Sequence, residues 1–373
     1  MNKLYFYLFT LLLLTITSAV NSATFCVTTS AALQQAFDTA AGNNQADIIK
    51  IKIGDYIAPS GGFQYQGANE NHGLEISGGW TPFFGNPCAF QLNTTSPLET
   101  ILDGNSLARV LLIYAGATTD NFKVSGLTFI NGFADNQYSG GLRFLSLGNF
   151  SGNFLLERSA FINNEATRAS ALLVDGGINN NSKLTIANNL FIGNHGEYIT
   201  VYIQPNDSWG VYFTNNTLMS NTVTGNSNGG LSIPITGSAS AYVANNIISN
   251  NSGFDAVLSI NVSASGETYL YNNNIGTQFG TISQSANNIS IPPLFEEATP
   301  SSFTYIPATN SQMIDTGIHP QPPTPLPPTF FDAWALGETD FQGNPRVQGA
   351  KVDMGAFETE LIFANGFEFV NKP

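Results

Sequence analysis

The chain has 373 residues, with 12 Lys and Arg against 26 Asp and Glu and a formal net charge of −14. Only 10% of residues are charged, yet 42% are hydrophobic, which excludes a disordered acidic tail. Uncharged polar residues fill the gap, with 42 Asn exceeding 36 Gly. Such a chain lacks both the composition of a helical bundle and the basic patch of a nucleic-acid binder. Asn and Gly weaken helices and favour turns, so an all-β chain with many tight bends and no nucleic-acid partner is expected.

Residues 1–23 read as a signal peptide. Lys3 precedes an apolar run from Leu8 to Ile16, and Ser18, Ala19, Ser22 and Ala23 are small, as cleavage after Ala23 or one residue earlier requires. The run is too short to span a bilayer core, so the mature chain has no transmembrane segment and is secreted or held at the cell surface. In such a compartment Cys26 and Cys88 are expected to form a disulfide. The chain-entropy model values that closure at about 4 kcal/mol. Residues 24–99 hold an N-terminal cap and the first coils. Ala31 to Ala41 is the best helix in the chain, with Leu33, Phe37 and Ala40 near one face.

From 100 to 290 a unit recurs. Copies of an apolar–variable–apolar strand start at 122, 154, 184, 211, 241 and 268. A turn pair follows in each of the last five: Arg158-Ser159, Asn188-Asn189, Asn215-Asn216, Asn245-Asn246 and Asn272-Asn273. Two residues later comes a large apolar side chain, giving with Phe129 the series Phe161, Phe191, Leu218, Ile248 and Ile275. A second strand recurs as Gly141–Phe144, Ala171–Val174, Thr200–Ile203, Gly230–Ile233 and Ala256–Leu258. Short strands at this period define coils of a solenoid. Stacked about 4.8 Å apart, Phe129 to Ile275 form an inner apolar column. Asn189, Asn216, Asn246 and Asn273 form an Asn column at a bend, where Asn tolerates the left-handed conformation and its amide can pair with the next. Room exists for about nine coils at this spacing. From Ile291 the repeats stop, and 291–360 is expected to cap the C-terminal end. A Pro-rich insert spans Pro320 to Pro328, and residues 361–373 form a tail.

The stretch Thr100–Gly104, Arg109–Leu111 and Val124–Phe129 resembles the opening coils of right-handed parallel β-helix proteins. Met313–Gly317, Asp340 to Arg346 and Val352–Glu358 resemble the "choice-of-anchor Q" domain that closes bacterial β-helix surface proteins. Ile362–Glu368 looks like the sorting endings of secreted Gram-negative proteins. The resemblance implies a right-handed parallel β-helix of about nine coils with an N-terminal cap and a C-terminal capping segment. It implies export and no single activity, because the fold hosts lyases, hydrolases and adhesins.

Many β-helix enzymes cut polysaccharides, and a glycosidase needs two carboxylates about 5 to 9.5 Å apart. Glu165 and His195 lie 30 residues apart in one column, with Glu157, Arg158 and Arg168 on the same coil and Asp175 and Glu197 nearby. Glu165, His195, Glu197 and Asp175 are therefore the catalytic candidates, although a solvated outer face explains them as well. The motifs of polygalacturonase-like hydrolases are absent apart from Asn194-His195-Gly196. A calcium site needs six to eight oxygens, and no acidic cluster at coil spacing offers them, so neither metal nor other cofactor is expected. Tyr202, Tyr212, Tyr242 and Tyr269 are the binding candidates. The last three recur one residue after a unit start, as an outward aromatic column that could meet sugar faces. Asp315, Asp340, Arg346, Asp353 and Glu358 read as turn and capping residues, with Arg346 paired to one of the acids. With so little ionisable chemistry at coil spacing, a non-catalytic adhesin or glycan-binding protein, with a polysaccharide or cell-surface component as its partner, is expected. A polysaccharide lyase or glycoside hydrolase is the alternative.

Overall fold

The structure, a computed structural model, describes residues 22–91, 96–147, 150–176, 182–205, 208–225, 228–261, 264–296, 305–318 and 338–359. Most of the expected leader, the Pro-rich insert and the tail lie outside these residues. Ala23, the last leader residue expected, opens the first strand, Ala23–Val27.

The chain winds as a right-handed parallel β-helix, the hand that parallel crossovers adopt. In the turn that begins at Phe154 it visits four sheets in order. Phe154–Glu157 belongs to the first sheet, Ala160–Ile162 to the second, Glu165–Arg168 to a short side sheet and Leu172–Asp175 to the third. The first sheet has eleven strands, the second and third have eight each, and the side sheet has four. Ten of the eleven stack from Ala23–Val27 to Gln284–Ala286 and define nine repeats of the path. Among the described residues, paired strands run parallel except in one hairpin, Leu74–Phe83 with Asn86–Gln91.

The expected inner column forms in register. Phe129 pairs with Phe161, Phe161 with Phe191, Phe191 with Leu218, Leu218 with Ile248 and Ile248 with Ile275. All six are buried, and the first three rings stack with centroids 4.7 and 4.8 Å apart. The Asn column also forms. Asn189 donates from Nδ2 to Asn216 Oδ1 at 3.0 Å, and Asn246 to Asn273 at 2.9 Å. The two residues of each Asn pair divide the work. The first takes the left-handed backbone (Asn188 φ 58°, Asn215 φ 54°, Asn245 φ 58°, Asn272 φ 50°), and the second makes the ladder. A second buried ladder, Asn164–Asn194–Asn221–Asn251, lines the bend after the second sheet. Its members are spaced 30, 27 and 30 residues apart, the same period as the first ladder.

The N-terminal helix is Ser30–Ala40, capped by Thr29, and it buries Leu33, Ala36, Phe37 and Ala40. It replaces the second and third sheets in the first turn and closes the core. Gln34 acts as a substitute peptide group. Its Nε2 donates to Gln64 O at 2.9 Å and its Oε1 accepts from Gln64 N at 3.0 Å, which blunts the edge strand Phe63–Gly67. Cys26 and Cys88 are disulfide-bonded with Cα atoms 5.7 Å apart, tying the first strand to the returning arm of the hairpin. Among the described residues no helix is long and apolar enough to cross a membrane.

The described residues of the C-terminal segment cover the flank of the rod. Tyr305, Met313, Phe341, Met354, Ala356 and Phe357 pack on the outer side of the second sheet, against Ala160, Ile162, Leu190, Ile192, Met219 and Ile247. Those strands are apolar on both faces, the pattern of a sheet covered on both sides, so they needed a cover along the flank. Among the described residues a shortened last coil lies over the end of the core. Tyr269 pairs with Gln284 only 15 residues on, and Ile282 folds onto the core. Within the segment Arg346 is fully buried. Its Nε lies 3.5 Å from Glu358 Oε2, and its Nη2 donates to Asp353 O and Gly355 O, both at 2.8 Å.

Candidate functional site

The side sheet carries the main candidates because the coil bends sharply there. In each turn an inward residue alternates with an outward one, which is polar in the last three turns. Ala134, Ala166, Gly196 and Val223 face inward, while Phe133, Glu165, His195 and Thr222 form the neighbouring column. Glu165 and His195 are thus direct cross-strand partners, placed side by side as their 30-residue separation implies. His195 Nδ1 lies 2.8 Å from Thr222 Oγ1, which orients the ring. Glu165, His195 and Glu197, joined by Asp135, line one shallow depression of about 210 Å³.

Asp175 is not part of it. It ends a strand of the third sheet, in register with Leu145 and Gln204. Burial raises its pKa, and nearby Arg143 opposes that shift. Tyr202 stands on the same outer face, in one column with Arg143, Leu173 and Ser232. Burial, then the Asp175 charge, raise its hydroxyl pKa. Glu157 sits on the first sheet, where Lys123 Nζ pairs with it at 3.1 Å.

Between the depression and the third sheet lies a feature the sequence reading missed. Arg143 lies over the ring of Tyr138 at 5.4 Å from its centroid. Arg168 lies 5.9 Å from the same ring and 5.2 Å from that of Tyr198. Cation and ring alternate across the corner, a favourable electrostatic arrangement. Arg143 Nε is shielded from solvent and has no hydrogen-bond partner among the described residues. Arg109 and Arg346 are buried, so Arg143 and Arg168 bring surface guanidinium to a chain with few cations.

The tyrosine column on the first sheet exists, with its geometry turned. Tyr212, Tyr242 and Tyr269 stack face to face, with centroids 4.9 and 4.8 Å apart and planes 15° and 5° from parallel. Lys183 Nζ lies over the Tyr212 ring, 4.9 Å from its centroid. Tyr242 and Tyr269 are each only 5% exposed, and the Tyr269 hydroxyl donates to Glu267. Burial and that carboxylate push the Tyr269 pKa well up. The ring faces contact one another and leave no flat aromatic surface for a sugar within the column.

Among the described residues no group of three or more His, Cys, Asp or Glu side chains is placed to hold a metal ion. Comparison with family models, with curated proteins and with solved structures gave no match to this chain.

Proposed function

We propose that this β-helix is an exported, non-catalytic surface or secreted protein that binds a polysaccharide, an adhesin-type role, at the corner between the side sheet and the third sheet. The carrying observation is the alternation of Arg143, Tyr138, Arg168 and Tyr198 beside a depression holding Glu165, His195 and Glu197. Guanidinium groups bind carboxylate or sulfate in two-pronged fashion, aromatic rings pack on sugar faces, and carboxylate and imidazole bond sugar hydroxyls. Tyr202 and Asp175 extend the surface along the third sheet. The likeness of 313–317, 340–346 and 352–358 to the choice-of-anchor Q domain, and of 362–368 to a Gram-negative sorting ending, supports export to the cell surface.

The test is retention of the purified protein on a panel of neutral and acidic polysaccharides, with the glycan assayed for cleavage. Binding without product release is expected. Arg168→Ala and Tyr198→Ala should each weaken it by about tenfold, the effect of removing one anchoring contact. One observation favours the second reading, a lyase or glycosidase: the direct pairing of Glu165 with His195 in the depression. Product release lost in both Glu165→Gln and His195→Ala would establish that reading and sink the binding one.

A further inference from the structure

The N-terminal hairpin leaves the rod after Trp80, and its returning arm runs back to Gln91, the partner of Trp80. Its strands pair Thr81 with Phe90 and Phe83 with Asn86, so Phe84 and Gly85 form a two-residue loop. Both take positive φ, 44° and 86°, which defines the mirror-image turn that suits a hairpin's twist. Such a turn ordinarily carries Asn at its first centre. Here a phenylalanine holds that position, against its own steric preference.

The ring gains no burial in return. Phe84 is 93% exposed, and Phe83 and Phe90 beside it are 51% and 50% exposed. The three form one cluster, with centroids 4.2 and 5.1 Å apart. The hairpin is held firmly. Cys88 is disulfide-bonded to Cys26, Gln91 Nε2 donates to Gly78 O at 2.7 Å, and Thr81 Oγ1 donates to Phe90 O at 3.2 Å. A tethered tip presenting three rings to solvent is a preorganised contact.

The order of side chains along the hairpin identifies what it meets. No charged residue occurs from 76 to 98 in a chain of net charge −14. Below the phenylalanine tip stands Trp80, its Nε1 donating to Ser77 Oγ at 2.9 Å. At the foot stand Lys50 and Lys52. Lys50 Nζ lies 4.1 Å from the Trp80 ring centroid, and Lys52 is in register with Trp80. Apolar tip, amphipathic indole and cationic foot match the layers of a bilayer surface: acyl boundary, interface and phosphate plane. We propose that this hairpin docks on a phospholipid bilayer with anionic headgroups, with Phe83, Phe84 and Phe90 entering the interface and Lys50 and Lys52 meeting phosphate. The proposal is independent of the glycan-binding surface, which lies on other coils.

The experiment is co-sedimentation of the oxidised protein, as secreted by an expressing cell, with phosphatidylcholine vesicles with and without phosphatidylglycerol. Binding to the anionic vesicles is expected, weakening as salt rises. Phe84→Gly should lower the partition by roughly ten- to a hundredfold, the worth of one ring moved from water. Its melting temperature should hold or rise, because glycine accepts the positive φ. A drop in binding therefore cannot come from misfolding. Lys50→Gln with Lys52→Gln should remove the preference for phosphatidylglycerol. Failure of the parent protein to bind either vesicle, or equal binding by Phe84→Gly, overturns the proposal. So does a concentration-dependent dimer that Phe84→Gly dissociates, since that outcome assigns the tip to a second copy of the chain.

Discussion

Asn216 accounts for much of the unusual composition. It is fully buried at a bend. Its N–H donates to Asn246 Oδ1 at 2.8 Å, and its Nδ2 donates to Ile186 O at 2.9 Å. Its own Oδ1 accepts both the N–H and the Nδ2 of Asn189, each at 3.0 Å. One amide therefore satisfies two main-chain groups of the preceding coil, the Asn189 N–H and the Ile186 carbonyl, where the sheet ladder is interrupted. A carboxylate cannot donate, so it cannot replace the bonds made by Nδ2. Asn216→Ala leaves several of these groups buried and unpaired, at about 1–3 kcal/mol for each, so a loss on the order of 3 kcal/mol is expected. Asn216→Asp should cost about 3–5 kcal/mol, because the buried charge has no partner. Thermal melts of the two variants check this. A loss under about 1 kcal/mol for both would mean that water replaces the amide.

At the scale of elements, the C-terminal segment is governed by buried carboxylates. Burial pushes the Glu358 pKa up to about 8 and that of Asp353 up to about 6, while Arg346 pulls both down. Acids whose folded pKa lies above the ordinary range are held in neutral form by the fold, so folding takes up protons. Their contribution is complete below the ordinary carboxylate pKa near 4 and is lost as pH rises through 6 and then 8. The melting temperature should therefore fall by a few degrees between pH 5 and pH 9. Glu358→Gln, which is neutral at every pH, should abolish the upper part of that fall. A melting temperature that rises with pH in both proteins contradicts the argument.

The same element marks where the sequence stops being readable. Repeated residues betray an inner column because every coil must present the same volume at the same point, so the column from Phe129 to Ile275 is legible in the sequence. The cover on the second sheet is irregular and unrepeated, and only the double-faced strands Ala160–Ile162 and Leu190–Ile192 hint that one is needed. Glu165 and His195 were legible from their spacing for the same reason as the core. Their Arg and Tyr neighbours were not. Tyr138 reaches the corner after a register shift following Ala134, and Arg143 arrives from a different sheet. Periodicity carries no record of either.

For the molecule as a whole, stability in a stacked rod is a sum of local terms and nearest-neighbour interfaces. The first strand, Ala23–Val27, has one sheet neighbour, Asp47–Lys52, and otherwise rests on the helix. It is a terminal unit with a single sheet neighbour, and the disulfide is placed there. Reducing Cys26–Cys88 removes a constraint worth about 4 kcal/mol in the chain-entropy model, but it acts on one end. Hydrogen exchange measured with and without reductant should show protection lost across residues 23–52 and kept between 154 and 271, where each first-sheet strand has neighbours on both sides. Reduction that strips protection evenly along the rod would mean that the coils unfold as one cooperative unit. The N-terminal cap would then be the support of the whole solenoid, and the nearest-neighbour description would fail for this chain.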